Sequence, residues 1–194
     1  VPSGLNESST KKLVDFMRCL TICHTVIREK DGTYRAESPD ELALIEGVGN
    51  YGCYLSERGT KEMIIKMYGI SETFDILAVN PFNADRKRMS ILVKEKATDK
   101  HFVMCKGADN IMMPLCKLNV DEVADLDVSL TAMSQLGLRT LVIAQKELTT
   151  MQALDWLEFF KAAALSTEQR DDKIARAGAL LEQDMDLVGL TAIE

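Results

Sequence analysis

The chain has 194 residues, 46% of them hydrophobic and 27% charged, with a net charge of −7. That length supports one domain with a sizeable core, and the apolar content excludes a disordered chain. The negative balance argues against non-specific binding to nucleic acid or a membrane surface, the five cysteines hold no C-x-x-C pair and point to a reduced, cytosolic compartment, and no apolar run reaches the ~18–20 residues of a membrane helix.

Residues 1–10 are polar and read as a flexible terminus or cloning remnant, with no signal peptide, which leaves 11–194 as one domain. Leu13, Phe16, Met17 and Leu20 recur at 3.6 spacing and predict a helix over 11–22. His24 beside Cys19 and Cys23 raises the idea of a metal site. No further ligand pair accompanies them, so a packed, hydrogen-bonded histidine is expected. Asp31-Gly32 marks a turn. Ser38-Pro39-Asp40-Glu41 reads as a capping box, in which Ser38 caps, Pro39 presets φ and Glu41 reaches back to the cap. The helix it starts runs to near Gly52, with Leu42, Ile45, Val48 and Gly49 on its buried face.

Strand patterns follow over 54–57, 62–68 and 72–80, the last with Phe74, Ile76 and Ala78 on one face. Two more, over 88–96 and 101–106, are joined by a polar loop of hairpin length. Sequential strands with short connections predict an α+β fold: an antiparallel sheet of about six strands flanked by helix pairs. Pro81 cannot donate to a ladder, so the strand should break there and free Phe82 to project into a cleft; the alternative for Phe82 is core packing. A short helix is expected over 108–116 with Asp109 as its cap, and a longer one over 121–135 ended by Gly137. Residues 140–145 read as a central strand led by Arg139. Residues 150–165 and 168–184 read as a helical hairpin, with Ser166 or Thr167 capping its second helix, and 186–194 as a last strand.

The chemistry concentrates between Asn80 and Asp109. Phe82 offers a face for a base, an interaction worth roughly 1–3 kcal/mol. Lys106 offers a compact charge for phosphate, here read as partly exposed and so sensitive to salt. Gly107 allows close backbone approach, and Arg86-Lys87-Arg88 gathers local positive charge. This kit suits one anionic, flat-ringed ligand, although basic clusters near strand ends are also ordinary solvated rims.

The stretch Asn80–Ser90 resembles the F-x-x-x-R-K-R-M-S segment of P-type ATPase nucleotide-binding domains, and Cys105–Asp109 resembles their K-G-A-D segment. Ser38-Pro39-Asp40-Glu41-x-Ala43-Leu44 upstream and Leu136-Gly137-Leu138-Arg139-Thr140-Leu141 downstream fall in the family's order. With Cys23-His24-Thr25-Val26, their wording is similar to the type IV branch, the phospholipid flippases. The resemblance implies a nucleotide site of Glu41, Phe82, Lys87, Lys106, Gly107 and Arg139, with Glu41 near the adenine amino group, Phe82 under the base and Lys87 and Arg139 toward the phosphates. Arg86 is expected to brace the sheet or an acid. The implied ligands are ATP and ADP. Mg2+ is expected in the full-length enzyme at a site outside this fragment.

The implied partners are the phosphorylation and actuator domains of the same parent, an autoinhibitory tail and an accessory membrane subunit. Neither nucleic acid nor membrane insertion is expected of this fragment, which reads as a cytoplasmic domain of an integral membrane protein, ending where the nucleotide-binding insertion should end. Ala84 departs from the flippase pattern, which carries serine there, and Asp85 is closer to the ion pumps. The chain has no Asp-Lys-Thr-Gly stretch, no Gly-Asp-Gly-x-Asn-Asp stretch and no phosphate loop of the Gly-Lys-Ser/Thr type. It therefore carries no catalytic residue of its own: it should bind nucleotide and present it to chemistry on a neighbouring domain. The alternative is an ATPase-like regulatory or protein-interaction module without productive ATP use, its basic rim meeting an acidic partner.

Overall fold

The computed structural model describes residues 6–194, so the first five residues of the expected flexible terminus lie outside the described residues. Helix α1 (Glu7–Ile22) starts four residues earlier than the spacing predicts, because Asn6 supplies a side-chain cap to Ser9 N–H. A two-stranded ribbon, β1 (Ile27–Arg28) and β2 (Tyr34–Arg35), folds around the Asp31-Gly32 turn; strands of two residues are too short to show alternation in sequence. Helix α2 (Pro39–Gly49) buries Ile45 and Val48, as its spacing predicts.

Seven strands then pair in strict chain order, each antiparallel to the next: β3 (Cys53–Arg58), β4 (Glu62–Met67), β5 (Ile70–Asn80), β6 (Arg88–Glu95), β7 (His101–Gly107), β8 (Arg139–Leu148) and β9 (Asp186–Ile193). The expected antiparallel α+β architecture holds, with seven strands for the expected six or so. β8 lies second from the edge and not at the centre, since β9 adds outside it alone. Between β7 and β8 come the short helix α3 (Asp109–Met112), a 3-10 turn (Met113–Leu115) and α4 (Val120–Gln135). Gly137 ends α4 at φ +75°, its N–H donating to the Ser134 carbonyl.

The helical hairpin is α5 (Thr150–Leu165) and α6 (Arg170–Leu181), clasped by a hydrogen bond from Trp156 Nε1 to the Ala177 carbonyl at 2.8 Å. Neither Ser166 nor Thr167 caps α6. Gln169 holds the N-cap at φ +50° without a side-chain bond, and the Ser166 hydroxyl instead accepts from Lys173 Nζ at 2.6 Å.

Strand periodicity divides the core. Met89, Ile91, Val93, Met104 and Ile143 pack under α1 and α2, while Leu92, Val103, Cys105, Val142 and Ala144 face α5 and α6. One correction to the expected alternation matters. A bulge between Ile76 and Ala78 flips the last part of β5, so Ala78 joins the second core and Asn80 faces Ser90 on that side.

His24 is a core histidine: Nε2 donates to the Thr21 carbonyl at 2.8 Å and Nδ1 accepts from Val26 N–H at 3.1 Å. Burial, with the Arg58 and Lys106 charges nearby, pushes its pKa from 6.5 down to about 3. In the unfolded chain His24 takes a proton near pH 6.5, whereas in the folded chain it stays neutral to about pH 3. The unfolded state therefore binds more protons in that window, and stability falls as pH drops, by up to about 1.4 kcal/mol per pH unit. Urea melts between pH 7 and pH 5 should show this slope in the wild type and a flatter one in His24→Asn, the remainder coming from His101, which burial also lowers.

Candidate functional site

Several elements end together on one side of the sheet. β5 stops at Asn80 because Pro81 has no N–H for the ladder. β6 begins opposite the end of β7, with Arg88 paired to Gly107, and α2 starts nearby with the Ser38 hydroxyl accepting from Glu41 N–H at 3.4 Å. Between them lies a cleft of about 360 Å³, lined by Thr25, Asp40, Glu41, Leu44, Phe82, Met89, Lys106, Gly107 and Leu141 among others. Such a volume is in the range of small-molecule sites, which run from about 300 to 1,000 Å³.

The floor of the cleft is an ion pair. Lys106 shares the sheet face of Met104, which directs it toward α2, and Lys106 Nζ donates to Glu41 Oε1 at 2.8 Å. The other carboxylate oxygen accepts from the Thr25 hydroxyl at 2.7 Å and from Thr25 N–H at 3.1 Å. Glu41 therefore does not reach back to the helix cap as a capping box requires. A desolvated ammonium outbids the peptide N–H at an exposed helix start. Burial pushes the Glu41 carboxyl up, but the Lys106 charge and the bonds from Lys106 and Thr25 outweigh it and hold its pKa below the ordinary value. Lys106 itself is only 7% exposed, so it is not the salt-screened surface charge that its sequence position suggests.

Phe82 stands at the rim with 61% of its surface exposed, which excludes core packing for this ring. Leu44, Met89 and Leu141 give the cleft an apolar wall. Gly107 lines the cleft, but its lack of a side chain has a structural cause. A Cβ there would stand 2.7 Å from the Lys87 carbonyl oxygen and 2.9 Å from Arg88 Cα, so close strand pairing excludes any larger residue.

The other sequence-predicted residues are more dispersed. Arg139 lies outside the lining, paired with Asp40 at 2.8 Å, and Asp40 is itself part of the wall. Lys87 is exposed in a left-handed turn and also outside the lining. Its neighbours Arg86 and Arg88 both turn away to the buried Glu182. The local positive patch thus shrinks to Lys87, since two of its three cations are neutralised inside. Asp109 is not a cap: Ala108 holds the N-cap of α3 without a side-chain bond, and Asp109 accepts from Asn110 N–H at 2.6 Å.

Asp109 instead lines a second hollow of about 460 Å³ against α4, with Asp127, Leu130 and Ser134. Two carboxylates and no cation in that lining make it unsuited to an anion. Among the described residues, no three His, Cys, Asp or Glu side chains converge as a group that could hold a metal ion. All five cysteines are free, and no helix among the described residues is long and apolar enough to cross a membrane.

Thr25, Met89 and Leu141 are the lining residues that sequence reasoning misses, although each falls inside a motif stretch, Cys23–Val26, Asn80–Ser90 and Leu136–Leu141. The Glu182 partner of Arg86 and Arg88, outside the lining, has no local signal, lying 96 residues from Arg86.

Comparison with known proteins gives a consistent answer. Residues 12–194 match the family model described as P-type ATPase, cytoplasmic domain N. The chain is 34% identical over 98% of its length to phospholipid-transporting ATPase IC of Xenopus tropicalis, and 35% identical over 93% to phospholipid-transporting ATPase ID of Homo sapiens. It is 31% identical over 99% of its length to a phospholipid-transporting ATPase of Schizosaccharomyces pombe. The chain spans only 14–15% of the length of these three relatives.

The buried pair generates one expectation. Lys106→Met leaves the Glu41 carboxylate without its cation and should lower stability by up to about 3–5 kcal/mol. The loss should be similar at low and high salt, because the pair is shielded from counterions. Urea melts at two ionic strengths measure it; adding Glu41→Gln to Lys106→Met should recover part of the loss.

Proposed function

This chain belongs to the P-type ATPase cytoplasmic N-domain family, and from that premise we propose that its cleft binds ATP and presents it to the separate phosphorylation domain of a phospholipid-transporting parent. The observation that carries the reading is an exposed aromatic ring at the mouth of a cleft with an apolar wall and a buried lysine at its floor. Phe82 offers a stacking face. Glu41 offers an acceptor for the adenine amino group, and Lys106, once released from Glu41, a donor for an anionic oxygen. Gly107 leaves the wall open beside them, and Lys87 and Arg139 supply positive charge outside the lining. Family membership and the four ordered motifs support the same assignment.

The parent is proposed to be an integral membrane transporter whose phosphorylation and actuator domains, accessory subunit and autoinhibitory tail lie beyond this chain. Magnesium belongs to that larger assembly and accompanies the nucleotide there. The chain lacks an Asp-Lys-Thr-Gly stretch, and it is proposed to be inert alone. The interaction-module alternative relies on a basic rim, and the burial of Arg86 and Arg88 against Glu182 removes most of it.

Binding should be weak and dominated by the base. Glu37, Asp40 and Glu41 line the cleft beside a single buried cation, which disfavours phosphate. Association also costs several kcal/mol of lost freedom. A dissociation constant on the order of 0.1–1 mM is expected, with ADP binding comparably. Phe82→Ala should weaken ATP by roughly 1–3 kcal/mol, or about 5- to 150-fold, with little salt dependence. Its melting temperature should stay near the wild type, because the ring is mostly in solvent. Calorimetry and thermal melts on the same samples check this. Undiminished ATP binding by folded Phe82→Ala would overturn the reading.

A further inference from the structure

The loop that carries Phe82 has little packing of its own. Residues Phe82, Asn83, Ala84 and Asp85 are all exposed. Inside it, the Asn83 side chain accepts from Arg86 N–H at 2.6 Å and the Asn83 carbonyl accepts from Lys87 N–H at 2.8 Å. What fixes the loop to the domain lies on the opposite face of the sheet from the cleft. There Glu182, the C-cap of α6, is fully buried. Its Oε1 accepts from Arg86 Nη2 and from the Ser90 hydroxyl, and its Oε2 accepts from Arg88 Nε at 2.6 Å. Asn80, just before the loop, donates to the same Ser90 hydroxyl at 2.9 Å.

One carboxylate thus holds the far end of the loop directly, through Arg86, Arg88 and Ser90, and the near end, Asn80, through the Ser90 hydroxyl. Gly178 of α6 makes the approach possible, since a Cβ there would stand 2.5 Å from Arg86 Nη1. Glu182 takes no part in the cleft lining.

We propose that Glu182 is a positioning residue for the nucleotide cleft, acting through Arg86 and Arg88 on the loop that holds Phe82; this rests on the ATP-binding reading above. A buried carboxylate shared by two guanidiniums defines the position of both planar groups. The loop that runs into Arg86 inherits that definition at its far end, and the Phe82 ring is presented to a base without having to be ordered by it. Removal of the carboxylate frees both arginines and leaves the ring to sample many orientations.

The test is a double-mutant cycle read by NMR titration with ATP on wild type, Glu182→Gln, Phe82→Ala and the double variant, together with the 19F resonance of Phe82 in protein labelled with fluorophenylalanine. Glu182→Gln is expected to weaken ATP about three- to tenfold when Phe82 is present and by less than about twofold when it is absent, because the two residues act as a unit. Without nucleotide, the Phe82 resonance should move toward that of free fluorophenylalanine. An equal loss of affinity in both backgrounds, or an unchanged resonance and affinity in folded Glu182→Gln, would overturn the proposal. Should Glu182→Gln fail to fold, Arg86→Lys takes its place in the same cycle with the same expectations, since it keeps the charge and gives up the guanidinium geometry. Absence of ATP binding by the wild type would overturn the nucleotide reading and Glu182's effect on affinity, while the 19F arm decides separately whether Glu182 positions the ring.

Discussion

A lysine ammonium held against a glutamate carboxylate under an apolar wall is the constraint around which this domain is arranged. Two charges cannot be taken from water without compensation. Here Lys106 and Glu41 compensate one another at 2.8 Å, and Thr25 supplies both remaining hydrogen bonds to the carboxylate. That pairing joins β7, the start of α2 and the segment after α1 at one point. It also makes the cleft polar at its floor and apolar along its side. A purely hydrophobic molecule in the cleft would leave that pair buried against apolar atoms with no new partner.

A second ionic knot lies on the other face of the sheet. Glu182 with Arg86, Arg88 and Ser90 ties α6 to β6, and the bulge in β5 brings Asn80 into the same group. Successive residues of β6 serve the two knots: Met89 lines the cleft and Ser90 binds Glu182. The period of two in a strand places neighbouring residues on opposite faces, so the short stretch from Asn80 to Ser90 serves both sides at once. This accounts for the density of charged residues in that stretch better than a solvated phosphate patch does.

Much of the fold was legible because its signals are local. Alternating residues, the Pro81 break, the Gly137 helix stop and the Ser38 cap all placed elements near their observed bounds. The ribbon of β1 and β2 was missed because two residues carry no periodicity, and the bulge after Ile76 was missed because nothing in Phe74, Ile76 and Ala78 betrays an inserted residue. Of the candidate site, Glu41, Phe82, Lys106 and Gly107 do gather in one cleft, while Lys87 and Arg139 stand outside its lining. Burial was the harder part to read. Lys106 looks like a surface cation in sequence, and only the sheet face it shares with Met104 shows that it points inward. Glu182 was illegible for the same reason in stronger form, since its partners lie more than ninety residues away.

The account depends most directly on which surface answers to nucleotide. Backbone 1H–15N chemical-shift mapping of the wild-type chain, titrated with ATP through the millimolar range, reads this without mutation. The largest changes should fall on Thr25, Glu41, Phe82, Lys106, Gly107 and Leu141. No change at ATP well above millimolar, or a response centred on Asp109, Leu130 and Ser134 in the hollow beside α4, would contradict it.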